Sequence, residues 1–214
     1  MGKKLLLLIC ILQAIPAIFA QSGFQPATET QQNEIIRQIT ESSKELKTLR
    51  CDFVQRKTIS ILADEMVAEG SLSFKQTDNV RWEYAKPYQY EFVMNGDKVM
   101  VSSETTKNVI DINSSKVFRE ISKIIISGIN GAGIFDQSKF VTEFMVSAKE
   151  HMVILMPKQK EIKQLFNKIY ICFNTSDNTV NSIEIEEFNK DKTFIEMKNK
   201  QINKELNDEV FNIR

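Results

Sequence analysis

Apolar and polar positions change period several times along this chain, and each change marks a structural element. In the segment 28–49, Ile35, Ile39, Ser42, Leu46 and Leu49 recur at three- and four-residue steps, while Glu34, Arg37, Glu41, Lys44 and Lys47 fill the opposite face. This pattern predicts an amphipathic helix over Thr28 to Leu49, lying on something apolar. From Arg50 the period becomes two. Cys51, Phe53, Gln55 and Lys57 alternate with Asp52, Val54 and Arg56, and Met66, Ala68, Gly70, Leu72 and Phe74 line one face of the next strand. Val80, Trp82 and Tyr84 then share a face, followed by Tyr88, Tyr90, Phe92 and Met94 on a neighbouring strand. Asn95-Gly96-Asp97 offers hairpin chemistry, so consecutive strands joined by short turns predict an antiparallel meander.

A second helix interrupts the strands. Asn113-Ser114-Ser115 supplies capping candidates, and Val117, Phe118, Ile121, Ile124, Ile125 and Ile126 form a broad apolar stripe that Gly128 is expected to end, with a mobile loop over Ile129 to Phe135. Strands resume at 139–148, 151–157, 168–174, 179–188 and 193–200, with a helical turn within Lys158 to Phe166. The expected fold is mainly β with helices (α+β): an incomplete antiparallel β-barrel, a strongly curved sheet of about ten strands, with helices covering its apolar concave side.

The first twenty residues stand apart from this pattern. Lys3 and Lys4 precede an almost unbroken apolar run from Leu5 to Ile15, and Ala17 and Ala20 provide small residues for a cut after Ala20. Residues 1–20 therefore read as a cleavable signal peptide, and 21–214 as a single exported domain of 194 residues. The run is short for a bilayer span, and Pro16 interrupts its end.

Charge and chemistry narrow the function by exclusion. The full chain carries 28 basic and 28 acidic residues, and without Lys3 and Lys4 the count is 26 against 28, with no basic cluster to hold nucleic acid. A single histidine, His151, and two distant post-leader cysteines give neither a metal-ligand spacing nor a nucleophile with its base. Glu184 and Glu186 share a strand face opposite Ile183 and Ile185, as solvated carboxylates do. The residues thus point to no enzyme, no metal and no cofactor. Cys51 and Cys172 are compatible either with a disulfide or with two buried thiols.

Several segments, in order, resemble the outer-membrane lipoprotein carrier family, the LolA/LolB-like proteins, and LolA most closely. They are the N-terminal amphipathic helix, Cys51-Asp52-Phe53-Val54-Gln55, the Gly-x-Leu-x-Phe segment at Gly70 to Phe74 and Val80-Arg81-Trp82-Glu83-Tyr84. Pro87-Tyr88, Asn95-Gly96-Asp97-Lys98-Val99 and a closing strand at Asp208-Glu209-Val210-Phe211 complete the set. The resemblance implies a half-barrel closed by a helical lid and a monomeric periplasmic carrier of acylated lipoproteins. It also implies an inner-membrane lipoprotein-releasing ABC transporter as donor and an outer-membrane acceptor that the sequence does not identify. On this reading Leu72, Phe74, Val80, Trp82 and Tyr84 face the cavity from the sheet, and Ile35, Ile39, Phe118, Ile121 and Ile125 contact it from the lid. Family members latch the lid with an Arg that precedes a Pro in the loop after the Gly-x-Leu-x-Phe strand; here that loop reads Lys75-Gln76-Thr77-Asp78, leaving Gln76 as the latch candidate. Two alternatives stay open: carriage of another lipid or amphiphile, and an envelope sensor that binds lipoproteins.

Overall fold

The computed structural model describes residues 23–61, 64–76, 78–114 and 116–213; the side chains of Asp64 and of residues 115–122 lie outside the described part. The elements, in chain order, are β1 (Gln25–Pro26), α1 (Glu29–Glu45), β2 (Thr48–Ile59), β3 (Asp64–Lys75), β4 (Asn79–Lys86), β5 (Tyr90–Asn95), β6 (Lys98–Ser103) and β7 (Lys107–Asp111). There follow α2 (Lys116–Asn130), β8 (Phe140–Val146), β9 (Glu150–Pro157), α3 (Lys160–Lys163), β10 (Phe166–Asn174), β11 (Val180–Glu187) and β12 (Lys192–Ile202). Among the described residues all twelve strands form one antiparallel sheet in the order β1-β8-β9-β10-β11-β12-β2-β3-β4-β5-β6-β7. Its outer strands β1 and β7 do not meet, so the sheet curves into a barrel left open. The strand count exceeds the expected ten chiefly through β1, a two-residue strand pairing with Val146 and Met145 and too short to show a period.

Helix α1 starts where its chemistry dictates. Thr28 Oγ1 accepts from the Gln31 N–H at 3.4 Å while Gln31 Oε1 accepts from the Thr28 N–H at 2.9 Å, a reciprocal capping box. The helix ends four residues before the expected Leu49. Asn203 Oδ1 accepts from the N–H groups of Lys47 (2.7 Å) and Thr48 (3.3 Å), its Nδ2 donates to the Glu45 carbonyl at 3.1 Å, and Leu49 joins β2 opposite Phe74. A remote side chain thus satisfies the groups that another helical turn would have used.

Helix α2 runs through Gly128 rather than stopping there. Gly128 lies over Ile183 of β11, where an added Cβ would come within 3.2 Å of Ile183 Cδ1, so close packing on the sheet retains a glycine inside the helix. The following segment, expected as a mobile loop, packs into the core through Ile129, Gly131 and Ile134, which are buried, while Gly133 is exposed. The expected closing strand at Asp208–Phe211 is a 3-10 turn, in which Phe211 is buried and its carbonyl accepts from Asn95 Nδ2 at 3.1 Å.

Register arranges the concave face in tiers. Cross-strand partners Leu49, Phe74, Val80, Met94 and Val99 form one tier, beside the end of α1. Cys51, Leu72, Trp82, Phe92 and Val101 form the next, and Phe53, Gly70, Tyr84 and Tyr90 the one beyond. Cys51 and Cys172 are buried free thiols, with burial pushing them up to about 12 and about 11 respectively.

Candidate functional site: an apolar cavity under the second helix

The tiers near α1 are filled by side chains; those farther along the same strands are not. Between the curved sheet and α2 lies a cavity of about 340 Å³. Trp82, Tyr84, Tyr90 and Phe92 form one wall, Ile169, Ile171, Ile183, Ile185 and Ile195 face them from β10 to β12, and Ile124 and Ile125 of α2 form the roof. Among the described residues no charged side chain lines it; the polar groups are Gln55, Ser127 and Thr193, the tyrosine hydroxyls and the Trp82 indole. Such a site can solvate hydrocarbon. Among the described residues no group of three or more His, Cys, Asp or Glu side chains is placed to hold a metal ion.

The aromatic wall is held by mutual packing. The Phe53 ring centroid lies 4.9 Å from that of Trp82 and 5.1 Å from that of Tyr84, the latter edge to face, and Tyr84 lies 5.9 Å from Tyr90. Phe53 itself is fully buried against Gly70, so the wall is backed by a second aromatic layer. Tyr84 Oη donates to Gln55 Oε1 at 2.9 Å, and burial pushes the phenol up to about 12, keeping it neutral.

The cavity continues outward. Gln55, Tyr84 and Tyr90 also line an open groove of about 460 Å³, whose other walls include Met66, Val67, Ala68, Pro87 and Tyr88, with Lys57 and Lys86 at its edge. Both lysines are paired, Lys57 with Glu187 at 2.8 Å and Lys86 with Glu69 at 3.0 Å.

The predicted site residues divide by height in the barrel. Trp82, Tyr84 and Ile125 line the cavity. Leu72, Phe74 and Val80 share the concave face but are buried in the filled tiers, and Ile35 and Ile39 of α1 are buried in the same core rather than at the cavity. The reason is where α1 is fastened: its end is tied to the start of β2 and the end of β3, whereas the cavity lies toward the opposite ends of those strands. Phe118 and Ile121 belong to α2, but their side chains lie outside the described part. Gln76 does meet α1: its N–H donates to the Lys47 carbonyl (2.7 Å), its Oε1 accepts from Lys47 Nζ (2.8 Å) and its Nε2 donates to the Lys44 carbonyl (3.4 Å). The isoleucine wall opposite the aromatics escaped identification as a site. Its signal was the alternation of Ile169 with Ile171 and Ile183 with Ile185, legible as an inward face but not as a cavity.

No curated protein matches the chain. Solved structures with the same fold include MucB (6% identity, TM-score 0.51, covering 85% of this chain and 62% of that one). Weaker likenesses are to the lipoprotein LppX from Mycobacterium tuberculosis (13%, 0.48, 84% and 99%) and a LolA superfamily protein from Nitrosomonas europaea (10%, 0.43, 83% and 97%). At these identities the likeness concerns the fold alone. The chain's own sequence is more specific: residues 44–214, which hold the whole curved sheet except β1, match the family described as outer membrane lipoprotein carrier protein LolA, and the chain belongs to that family.

Proposed function

We propose that this protein is a periplasmic carrier that holds the acyl chains of lipoproteins in the cavity beneath α2 and passes them, without covalent chemistry, from the inner to the outer membrane. The observation that carries this reading is a lining of isoleucine and aromatic side chains, with no charged group among the described residues, in a member of the LolA family. An acyl chain of about sixteen carbons costs on the order of 12 kcal/mol in water at about 0.8 kcal/mol per methylene, so unassisted passage across an aqueous compartment is negligible. A shielding cavity removes most of that barrier, and release requires an acceptor at least as dry.

Export fits this role. The leader of residues 1–20 is removed after Ala20, and the single domain of 21–214 works as a soluble monomer; among the described residues no helix is long and apolar enough to cross a membrane. The donor is an inner-membrane lipoprotein-releasing ABC transporter. Helix α2 serves as the lid, while Gln76 fastens α1 at the opposite end.

Mass spectrometry of organic extracts and peptides co-purified with the protein from its native envelope tests the cargo. Acylated lipopeptides are expected; another lipid class redirects the reading to a different amphiphile, and an empty protein that accepts no lipoprotein in a release assay refutes carriage. Trp82→Asp places a charge in the apolar wall and is expected to lower acyl binding at least tenfold while circular dichroism keeps the β-rich spectrum.

A further inference from the structure

The cavity and the outer groove meet at Gln55, Tyr84 and Tyr90, and this waist carries an uncommon amount of hydrogen-bonding capacity for a site otherwise made of hydrocarbon. The Trp82 indole N–H is buried and has no hydrogen-bond partner among the described residues. It lies near enough to the Tyr84 hydroxyl to draw that phenol's raised pKa partway back, though not in hydrogen-bonding geometry. Tyr84 donates its own proton to Gln55 Oε1, which commits the amide oxygen as an acceptor and leaves Nε2 of the half-buried Gln55 as the donor end of the amide. The cavity wall therefore holds one buried donor without a partner among the described residues, Trp82 Nε1, and the waist a second donor, Gln55 Nε2.

A buried donor left unpaired costs about 1–3 kcal/mol, so a bare hydrocarbon ligand that seals the cavity would leave this cost in place. An acceptor at the same height would relieve it. We propose that Trp82 and Gln55, positioned by Tyr84, form a carbonyl-reading site, and that the ligand is an acyl chain joined through an ester or amide. The alkyl tail occupies the cavity beneath α2, the carbonyl oxygen accepts from Trp82 Nε1 and Gln55 Nε2, and the polar remainder leaves through the groove lined by Met66, Ala68 and Tyr88. This rests on the carrier reading above and adds to it a reason for the ligand's depth and class: the linkage, not only the chain, is recognised.

The test compares two ligands that differ at that one group, 1-palmitoylglycerol, which has an ester carbonyl, and 1-O-hexadecylglycerol, an ether without one. Each displaces a fluorescent fatty-acid probe from the purified protein. The ester is expected to bind about five- to tenfold more tightly, the range of one hydrogen bond gained by a donor that is otherwise unpaired. Trp82→Phe and Gln55→Leu should each reduce the ester-to-ether ratio, to within about twofold of one when combined. Tyr84→Phe, which removes the hydroxyl that orients Gln55, provides a second route should the pair fold poorly. Equal affinity of the two ligands for the unaltered protein, or a preference that survives these substitutions, overturns the carbonyl site while leaving carriage intact. Failure of both ligands to displace the probe overturns the carrier reading and this inference with it.

Discussion

A Cβ on Gly70 would lie 2.0 Å from the Glu83 carbonyl oxygen and 2.6 Å from Phe53 Cζ, so this position accepts no side chain. The β3–β4 register also shifts here, between Glu69 and Gly70, and the Phe53 ring fills the space against which Trp82 and Tyr84 then pack. One missing side chain thus sets the cavity's aromatic wall. Gly70→Ala is expected to destabilise the protein by about 3 kcal/mol or more, read from urea denaturation; a loss under about 1 kcal/mol would mean that β4 yields easily. His151 makes a second prediction at this scale. Burial holds its imidazole below the ordinary histidine value, and Nδ1 is buried with no partner among the described residues. The unfolded chain takes up this proton near pH 6.5 while the folded protein resists it, so stability is intact above that value and falls as pH drops toward the lower folded value. His151→Gln should show a smaller decrease in Tm between pH 7.5 and pH 5.5 than the unaltered protein; equal decreases would assign the acid sensitivity to other groups. The alternation of Trp82 with Tyr84 was readable at this scale. The filled state of Leu72 and Phe74 was not, because residues two positions apart on one strand share a face whether that face meets a core or a cavity.

Among the elements, the two helices do different work although both read as amphipathic stripes. Helix α1 is anchored by its capping box at one end and by Asn203 and Gln76 at the other, and it buries Ile35 and Ile39 in the core. Helix α2 roofs the cavity with Ile124 and Ile125. They meet through Gly131, which follows α2 with φ of +77°: a Cβ there would lie 2.7 Å from Ile39 Cγ2 and 3.1 Å from Phe173 Cε1. Gly131→Ala combines an unfavourable backbone conformation with this overlap and should cost about 2 kcal/mol in stability by denaturation. Hydrogen exchange should quicken in the last turn of α2 in the same variant; unchanged exchange would separate α2 from the α1 core. The glycines of this segment suggested mobility to a reader of the sequence. Gly128 and Gly131 are instead closely packed, since small residues serve close approach as readily as they serve flexibility, while Gly133 is exposed.

For the whole molecule, an open twelve-stranded sheet encloses an apolar volume without becoming a closed barrel, and the enclosure depends on α2. A ligand that binds only the folded state at about a hundredfold its Kd adds about 2.7 kcal/mol to stability. For a chain of this size that corresponds to a rise in Tm of about 5–10 °C with 1-palmitoylglycerol. The rise should persist between 0.05 and 0.5 M salt, since no charged group among the described residues lines the cavity. A rise that disappears in high salt would locate binding instead at the lysine-edged outer groove.

The linear order of apolar and polar residues determined the strands, the meander, the two principal helices and the inward face of each, because hydrophobic period follows backbone geometry and is written locally. It also determined the family, through ordered segments such as Gly70 to Phe74 and Val80 to Tyr84. Tertiary structure alone decided how far each inward face is filled. The stop of α1 at Glu45 depends on Asn203, the burial of Ile134 depends on α2 and the sheet closing over it, and the isoleucine wall of β10 to β12 faces Trp82 only once β12 pairs with β2. A cavity is a property of surfaces distant in sequence, which the spacing of residues along one strand cannot contain.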